Sequence, residues 1–572
     1  MTARVIAYAA VSAQGRGASA VSVGDAGDAP PSRIARDAAL ERAGLTRPYC
    51  ARAALPPSKD RGRAVLELVA QDLAADLEAH AVAGRLAVVV GTSSGGMQSL
   101  EHAVAGRAVD ARAVPYFGPL AALERFHAAT RIQVLAACAS STLAIGIALR
   151  LLQQGAADLA IAGGYDAVSD FVAAGFEALG ATSAEVRSFR LQREGLALGE
   201  GAALLALARP EAFPDAPTLG YVTGFGASSD ARHVTAPDPD GLGLARAAER
   251  ALANAGHPPI HVVSAHATGT PHNDGAEARA ISRVVSSDAV VHPFKAVVGH
   301  CLGAAGALES LAALDALERG VLPAAAGEGS VIPELCARLL SRVERGNPEH
   351  ALKLSSAFGG ANAALVLSNS RGPEPSTPRQ VYASPALSVS SPEVDPKLVR
   401  IPPERLSRLD ALSAWVLAAA VRARPLLSHL DLGGVGVVVA TAAATLTIDE
   451  DFETRRTRRR AEPRRFPPTS PNVCAGTAAI GLGLGGPSLS VGAGPEPLGE
   501  ALMVARALIA AGDAGAMIVI AAEDVGDFVR ELWRSAGFAP LANGAVVAVL
   551  GADPALGRAL PADPTELFRG LK

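Results

Sequence analysis

Two stretches of the chain read alike: residues 134–166, VLAACASSTLAIGIALRLLQQGAADLAIAGGYD, and residues 491–523, VGAGPEPLGEALMVARALIAAGDAGAMIVIAAE. Each stretch runs from a turn of small residues into an apolar helical segment, and then into a short apolar run typical of a buried strand. Counting back from the glycine that follows each helix, the same distance leads from Gly155 to Cys138 but from Gly512 to Pro495. The chain therefore carries one element twice, with a thiol in the first copy alone.

The repeat extends beyond these two stretches. RLAVVVGTSSGG at 85–96 precedes the first stretch, and GVGVVVATAAAT at 434–445 precedes the second. Helical patterns come before both, at 62–77 and 408–423. Strand-like runs that alternate with helices predict an α/β fold in which helices cover a sheet. Because the repeat is long and coarse, we interpret it as a duplicated domain half and not as a solenoid.

A segment rich in Ser, Pro and charged residues separates the two copies, and its composition is typical of a linker. No counterpart of residues 215–366 follows the second copy, so the second copy corresponds to an N-terminal half. We predict a first domain at 1–368, with halves at about 1–212 and 213–368, a linker at 369–396, and a degenerate half-domain at 397–572.

Composition excludes several classes of function. A chain of 572 residues with 49% hydrophobic and 19% charged residues has a globular balance. A net charge of −4 gives no general affinity for nucleic acid or acidic membranes. The start resembles no signal peptide, the apolar runs suit buried strands better than a membrane span, and the 5 cysteines show no paired spacing. We therefore expect a cytoplasmic protein without membrane or nucleic-acid partners.

Cys138 lies where a strand-like run turns into a helix. A helix N-terminus stabilises a thiolate and can hold an oxyanion, although a cysteine at such a turn is more often a small packing residue. His266 and His300 lie in the Gly-rich turns AHATGT and VGHCLGAAG, and Lys295 precedes the second turn. Two histidines placed in this way indicate a site that hydrogen-bonds a carbonyl oxygen.

These motifs together resemble the elongating β-ketoacyl-acyl carrier protein synthases of the thiolase fold. ACASS matches the nucleophile motif of that family, AHATGT its first histidine motif and KAVVGHCLGAAG its lysine and second histidine motif. REGLALGEGAA, AFGGAN and GFGASSDARHVTAPDPDG match its loops, and we expect His233 in the last of these to stabilise the loop. The resemblance covers about residues 80–370. It implies a layered αβαβα fold, built from duplicated βαβαβαββ halves, with one additional thiolase-like half-domain after it.

The resemblance implies an acyltransferase that performs a decarboxylative Claisen condensation. Cys138 would take an acyl group as a thioester. His266 and His300 would donate hydrogen bonds to the malonyl thioester oxygen, and the backbone N–H groups of Cys138 and Phe358 would form an oxyanion hole. Phe358 also matches the aromatic residue that gates the nucleophile.

Further residues receive roles from the same resemblance. Lys295 and Glu277 would fix the charge and tautomer of the histidines. The phosphopantetheine arm of the carrier protein would be bound by Thr235, Thr268, Thr270 and Asn362. The acyl carrier protein supplies that arm, and the resemblance implies neither another cofactor nor a metal ion.

The second copy lacks the groups for this chemistry. It contains His429 and Cys474, and neither lies in a Gly-rich turn. Pro495 removes both the thiol and a backbone N–H, although proline suits the first turn of a helix. In polyketide systems an active synthase of this family pairs with an inactive chain-length factor. We therefore expect the second copy to pack on the first as an intrachain pseudo-heterodimer with one active site.

An arginine-rich run, ETRRTRRRAEPRRFPP at 453–468, lies in the second copy. It suits a solvated loop or a dock for an acidic carrier protein, since clustered arginines attract a negative partner. The resemblance to chain-length factors implies that Phe466 and Pro467 at its end wall the acyl pocket from the partner side. The docking candidates are Arg455, Arg456, Arg458, Arg459 and Arg460.

Two other functions remain as alternatives. A thiolase would need a second cysteine, and Cys336 lies in a helical pattern without a Gly-rich turn. A non-catalytic partner or chain-length-factor-like scaffold is disfavoured by the intact cysteine and histidine set. The pathway remains either fatty-acid or polyketide synthesis, and the additional half-domain favours a specialised polyketide pathway, because fatty-acid synthases of this family are ordinarily single-copy homodimers.

Overall fold

The computed structural model describes residues 2–79, 84–374, 377–458, 461–561 and 564–568. The strand order in the first sheet is Thr130–Leu135, Leu86–Thr92, Leu159–Asp166, Gly201–Ala208 and Ala3–Ser12. The first three strands of this order run parallel to one another, and the next two pair antiparallel.

A second sheet repeats this arrangement with the strand order Val290–His292, Val262–Ser264, His350–Ser356, Ala361–Ser368 and Gly220–Ser229. Its first three strands are again parallel and the remaining pairings antiparallel. The start of Ala3–Ser12 also pairs with Gly220–Ser229, and this pairing joins the two sheets.

Helices form the remaining layers of this region. Ser140–Gln153 and Ala305–Glu318 are almost entirely buried and contact strands of both sheets. Arg61–Ala79 covers the outer face of the first sheet, and Leu242–Asn254 covers that of the second. The layers thus alternate helix, sheet, helix, sheet and helix, which confirms the predicted thiolase-like αβαβα fold.

The C-terminal region builds a third sheet, in the order Ser488–Val491, Val435–Ala440, Ala516–Glu523 and Gly544–Gly551. Its pairings follow those of the first sheet: parallel, parallel and antiparallel. Val491 and Ser490 pair antiparallel with Val134 and Leu135, so the first and third sheets are continuous. The two stretches that read alike in the sequence therefore meet at this junction.

The segment 369–396 differs from the linker that its composition predicts. Tyr382–Ala383 and Leu387–Val389 are short strands that pair with Gly544–Gly551. Val381 and Ala383 are buried. The few apolar residues in this polar segment cover an otherwise open edge of the third sheet, and composition alone does not indicate such pairing.

The structure also corrects the expectation for Pro495. The second-copy helix is Leu498–Ala511, with Pro497 at its N-cap, so Pro495 lies outside the helix in the turn before it. A residue that precedes a proline is disfavoured in the helical conformation, so Pro497 disfavours helix at Glu496. The carboxylate of Glu500 accepts hydrogen bonds from the backbone N–H of Ala493 and fixes this longer turn.

The N-terminal and C-terminal regions share buried contacts. The Tyr116 hydroxyl donates to Asp449 Oδ2 at 2.9 Å and lies 2.9 Å from Thr445 Oγ1. Arg150 forms a buried ion pair with Asp513, with Nε 2.6 Å from Oδ2. Aromatic rings from both regions pack in one apolar cluster, which includes Phe171, Phe176, Phe452, Phe466 and Trp533.

The remaining α-helices are Ala38–Arg42, Met97–Val104, Asp170–Ala178, Pro271–Val284, Lys295–Val298, Pro403–Leu406, Ala411–Ala423, Leu446–Arg458, Val473–Leu482 and Asp527–Ala536. Shorter strands outside the three sheets' main pairings are Gly15–Arg16, Gly27–Asp28, Ala35–Arg36, Tyr49–Ala51, Leu198–Gly199, Val321–Leu322, Arg342–Arg345 and Arg558–Ala559. Among the described residues, every helix is too short or too polar to cross a membrane.

Candidate active site

Cys138 lies in a tight turn between the strand Thr130–Leu135 and the helix Ser140–Gln153. Ala137, directly before it, has a φ of 47°, which is uncommon for a residue with a Cβ and is a sign of local strain. The Ser140 hydroxyl donates to the Ala137 carbonyl and accepts from the Ala136 N–H, and both bonds hold the turn closed. The turn thus presents the thiol at the N-terminal end of a buried helix.

The structure brings the cysteine and both histidines together. Cys138 Sγ and a ring nitrogen of each of His266 and His300 lie within 4.8 Å of one another. The two imidazole rings are nearly perpendicular, with centroids 5.5 Å apart. Both histidines are buried and line one cavity with Cys138.

Hydrogen bonds define the tautomers of these histidines. Nδ1 of His300 accepts the backbone N–H of Leu302 at 3.1 Å. Nδ1 of His266 lies 3.4 Å from Nζ of Lys295, which carries protons to donate. In a neutral ring whose Nδ1 accepts, Nε2 must carry the proton. Each imidazole can therefore donate one hydrogen bond from Nε2.

Burial sets the charge states of the site. It lowers the pKa of His266 and His300 well below the usual value, and the positive charge of Lys295 adds to this effect. Burial also raises the pKa of the Cys138 thiol to about 12, although Lys295 acts in the opposite direction. The resting site thus holds a thiol and two neutral imidazoles. The thiolate expected from the helix N-terminus is not favoured, because desolvation outweighs the attraction of the nearby charges.

Glu277 acts on the backbone and not on the rings, which corrects the sequence expectation. Its carboxylate accepts the N–H of His266 at 2.5 Å and that of Ala267 at 2.6 Å. Ala267 has a φ of 47°, so the carboxylate fixes a strained turn. The sequence motif identifies this glutamate, but it does not indicate which atoms the carboxylate contacts.

Two further charged residues lie behind the histidines and were missed by the sequence reasoning. Glu309 Oε1 is 2.5 Å from Lys295 Nζ, and Glu309 Oε2 is 2.6 Å from Lys353 Nζ. All three side chains are buried. Glu309 lies on the helix Ala305–Glu318, which begins at the end of the second histidine motif. Its position on this helix could therefore have indicated that it faces the site. Lys353, a charged residue in the apolar run ALKLSSAF, is a signal in itself, since lysine is rarely fully buried.

The cavity that contains Cys138 has a volume of about 260 Å³. Thr235, Thr268 and Thr270 all line it, as the sequence predicts for residues that contact a bound arm. Nδ1 of His233 accepts the N–H groups of Thr235 and Ala236, each at 3.1 Å, so the expected role of His233 in the loop is confirmed. The remaining lining residues include Leu196, His272, Asn273 and Ser356.

Asn362 is not among the residues that line this cavity, and its role in binding the arm stays a prediction. Its Oδ1 accepts from Ser356 Oγ at 2.9 Å, and its Nδ2 donates to Asp230 Oδ1 at 2.8 Å and to the Gly360 carbonyl. Both amide hydrogens are therefore used within the protein. Asn362 braces the loop that carries Phe358.

A smaller cavity of about 30 Å³ shares Cys138, Phe176 and Phe358 with the larger one. The C-terminal region contributes Phe466, Thr469 and Ser470 to its lining. Pro467, which the sequence also placed at this wall, is not among the lining residues.

The C-terminal region also holds the loop of Phe358. Asn472 Nδ2 donates to the Phe358 carbonyl at 2.6 Å, and Gly476 packs against the backbone of Gly359. The C-terminal region thus contacts the loop that carries Phe358, whose N–H is predicted to form half of the oxyanion hole.

The arginine-rich run is less available than its sequence suggests. Arg455 and Arg465 both pair with Asp451, and Arg456 is 12% exposed and pairs with Glu453. The pairing of Arg456 rules it out as a freely exposed docking group. Arg459 and Arg460 lie outside the described residues. Arg458 and Arg464 are exposed and make no ion pair with a described residue.

The cysteine and two histidines also have a spacing that could hold a metal ion. The ammonium group of Lys295 beside His266 opposes an additional cation there.

A thiol, two imidazole donors and a helix N-terminus in one cavity define an enzyme that transfers acyl groups through a cysteine thioester.

Comparison with known proteins identifies the family. The β-ketoacyl synthase C-terminal domain matches residues 219–327, and the N-terminal domain matches twice, at 74–212 and 363–547. The chain therefore belongs to the β-ketoacyl synthase family and is an acyltransferase of the ketosynthase class.

Three similar proteins illustrate the relationship. 3-Oxoacyl-[acyl-carrier-protein] synthase 2 of Staphylococcus aureus is 30% identical over 50% of this chain and 77% of its own length. The tetracenomycin polyketide synthase ketoacyl synthase alpha subunit of Streptomyces glaucescens is 35% identical over 40% of this chain and 58% of its own length. The solved PfaC keto synthase-chain length factor covers 96% of this chain and 78% of its own, with a TM-score of 0.77 and 17% identity, which supports the fold alone.

Proposed function

We propose that this protein condenses an acyl group held on Cys138 with a malonyl unit carried by an acyl carrier protein. The observation that carries this proposal is the meeting of Cys138 Sγ with ring nitrogens of His266 and His300 in one cavity. A protein that serves only as a scaffold has no need for this arrangement.

The first half-reaction loads the enzyme. Cys138 Sγ attacks the acyl thioester carbonyl, and the carbon–sulfur bond to the carrier's phosphopantetheine breaks. The proton of the Cys138 thiol passes to the sulfur of the departing thiolate, so the carrier arm leaves as a free thiol. The raised thiol pKa makes this transfer concurrent with attack, since little thiolate is present beforehand.

The second half-reaction forms the new carbon–carbon bond. The bond to the malonyl carboxylate breaks, carbon dioxide departs, and the electron pair moves to the thioester oxygen as an enolate. Nε2–H groups of His266 and His300 donate to that oxygen, and the enolate carbon then attacks the acyl carbonyl on Cys138. Loss of one such donor costs roughly 3–4 kcal/mol of transition-state stabilisation. The N–H groups of Cys138 and Phe358 donate to the oxyanion that forms on the acyl carbonyl. When this tetrahedral intermediate collapses, the Cys138 thiolate leaves and takes up a proton to restore the thiol.

The substrates arrive on a carrier protein. A related synthase is named for its acyl-carrier-protein substrate, and a solved ketosynthase of 27% identity forms a complex with its chain length factor. Thr235, Thr268 and Thr270 line the larger cavity and supply hydroxyl groups for the amide groups of a phosphopantetheine arm. The proposed reaction needs no further cofactor.

We also propose that residues 397–572 take the place of a partner subunit and make the chain an intrachain pseudo-heterodimer. The division into 1–368, 369–396 and 397–572 belongs to this proposal. The pairing of Val134 with Val491 and the contact of Asn472 with Phe358 support it. Native mass spectrometry should detect a single chain of 57.8 kDa, whereas a dimer paired through its N-terminal regions would contradict it.

The additional half-domain favours polyketide over fatty-acid synthesis. Phe466, Thr469 and Ser470 line the smaller cavity, so the C-terminal region can limit the space for an acyl chain. The fatty-acid pathway remains the second candidate, because a synthase of that class is also among the relatives.

Arg458 and Arg464 are the part of the arginine-rich run that suits docking of an acidic carrier protein. Exchange of both for glutamate should raise KM for carrier-bound substrate severalfold and leave kcat unchanged, because steering is lost and the site is intact. The matched control is Arg558→Glu, an exposed arginine on the strand Arg558–Ala559. An unchanged KM in the double variant would refute the dock.

The proposed condensation is tested by product mass. Wild-type protein incubated with acyl- and malonyl-carrier proteins should yield a β-ketoacyl product that is longer by two carbons per cycle, and Cys138→Ala should yield none. Extended product from Cys138→Ala at the wild-type yield would remove the proposal.

A further inference from the structure

Lys353 is a second lysine at the back of the site, in the strand His350–Ser356 that leads to Phe358. Its side chain has no exposed surface. None of the motifs that identify the family includes it. Burying the charge of a lysine in an apolar strand costs folding free energy unless the charge is paired. The position of Lys353 therefore needs a physical reason.

The ammonium group of Lys353 contacts three oxygen atoms. Nζ lies 2.6 Å from Glu309 Oε2, donates to the Ser264 carbonyl at 3.4 Å, and also donates to the Leu354 carbonyl. The contact with Glu309 is an ion pair, and the other two contacts are hydrogen bonds. They join the helix that carries Glu309, the strand that ends two residues before His266, and the strand that leads to Phe358.

Glu309 lies between two ammonium groups. Its Oε1 pairs with Lys295 and its Oε2 with Lys353, so one carboxylate faces two positive charges. Lys295 in turn contacts Nδ1 of His266. The position of Lys295 therefore depends on a carboxylate whose other oxygen is held by Lys353.

The charged and titratable groups around Lys353 are Glu309, Lys295 and Glu277, with His266 and His300 in front of them. Burial lowers the pKa of Lys353, and Glu309 opposes this shift. After burial, positive charge on Lys295 and Lys353 contributes to the low pKa of both histidines. Two ammonium groups thus lie behind the imidazoles and share Glu309 as a counterion, while the Glu277 carboxylate is engaged by the backbone N–H groups of His266 and Ala267.

We propose that Lys353 is a positioning residue for decarboxylation. It clamps Glu309, and through it Lys295, behind His266, and its charge adds to the burial that keeps both histidines neutral while negative charge develops on the enolate. This inference rests on the proposed condensation. A protonated His300 would place a ring N–H against the N–H of Leu302, so neutrality preserves the orientation of the donor.

The test compares Lys353→Met and Lys353→Gln with Lys397→Met, which changes an exposed lysine. The readouts are malonyl-carrier decarboxylation from pH 5 to 9 and the thermal midpoint of each variant. Both Lys353 variants should lower kcat at neutral pH by about tenfold or more, with KM within about twofold. The acid limb of their pH–rate profile should move to higher pH by about half a unit or more, because loss of a neighbouring cation raises the pKa values of the histidines. Lys397→Met should match wild type.

The outcomes separate the two proposals. If wild type does not decarboxylate malonyl-carrier protein, the proposed function fails. If wild type is active and a folded Lys353 variant keeps kcat within twofold with an unmoved acid limb, the positioning role alone is overturned. If both uncharged variants lose the folded state, Lys353→Arg decides: it keeps the charge but changes the geometry of the contact with Glu309, so it should lower kcat and leave the acid limb unmoved. Wild-type kcat in a folded Lys353→Arg would overturn the positioning role.

Discussion

Cys138 shows how far a single motif predicts chemistry. The ACASS motif and its position before a helix indicate the nucleophile, and two histidine motifs indicate its partners. The charge state of the thiol is not predictable in this way, because it depends on how much protein surrounds the cavity. Burial raises the Cys138 pKa to about 12, so the residue rests as a thiol.

This charge state gives a prediction for alkylation by iodoacetamide. The thiolate is the reactive form, and with a pKa of about 12 its fraction should increase about tenfold for each pH unit from 7 to 10. Mass spectrometry of the Cys138 peptide measures the rate, and Cys138→Ala supplies the background from the exposed Cys336. A rate that reaches a plateau below pH 8 would show that the thiol is activated at rest.

Glu309 and Lys353 mark the limit of sequence reasoning at this scale. Both contact the site through their charged ends, but they come from a helix and a strand whose packing is set by the whole N-terminal region. Lys353 is 58 residues from Lys295 along the chain, and only the fold brings both to one carboxylate. Sequence spacing can place Glu309 on the helix after the second histidine motif, but it does not show that Glu309 pairs with Lys353.

At the scale of elements, the helix Asp170–Ala178 fits the C-terminal region closely at one point. Gly175 faces Phe466, and a Cβ at position 175 would overlap the Phe466 ring. Phe466 also packs against Phe176, with ring centroids 5.2 Å apart. The absence of a Cβ at Gly175 therefore leaves room for the Phe466 ring, which lines the smaller cavity.

Gly175→Ala should displace Phe466 and cost about 1–3 kcal/mol of unfolding free energy, as an overpacked contact does. The product distribution should shift in length, since the displaced ring lines the smaller cavity. Gly499→Ala is the matched control on another helix, where the new Cβ would meet Thr565 at an ordinary 3.9 Å. Denaturant unfolding and product mass provide the measurements. Equal stability and an unchanged product in Gly175→Ala would contradict this account of the wall.

The elements were predicted best where the repeat is strong. The strands and helices of the two matching stretches follow from hydrophobic periodicity. Pro495 and the segment 369–396 did not follow, because turn length and edge-strand pairing depend on tertiary contacts. The helix begins at Leu498, after a second proline, and Tyr382–Ala383 pairs with a strand more than 150 residues away.

The whole molecule is held together by polar contacts inside a shared apolar interface. Arg150 and Asp513 are 4% and 1% exposed and come from the two different regions. The sequence predicts that the two copies pack together. It does not predict this ion pair or the register of Val134 with Val491, since neither has a local pattern.

Asp513→Asn should lower the free energy of unfolding by about 3 kcal/mol, because it leaves the Arg150 charge buried without its partner. Asp527→Asn, which breaks the exposed pair with Arg530, should leave stability unchanged within error. Chemical denaturation followed by circular dichroism measures both. Equal stability of the two variants would show that the interface does not depend on the buried pair.

The central claim is that one chain holds one acyl-accepting site at Cys138. Intact-mass spectrometry after incubation with an acyl-carrier protein tests it most directly. The account predicts one acyl group per 57.8-kDa chain, located on the Cys138 peptide and absent from Cys138→Ala. Acylation of another cysteine, such as Cys474, or equal labelling of Cys138→Ala would contradict it.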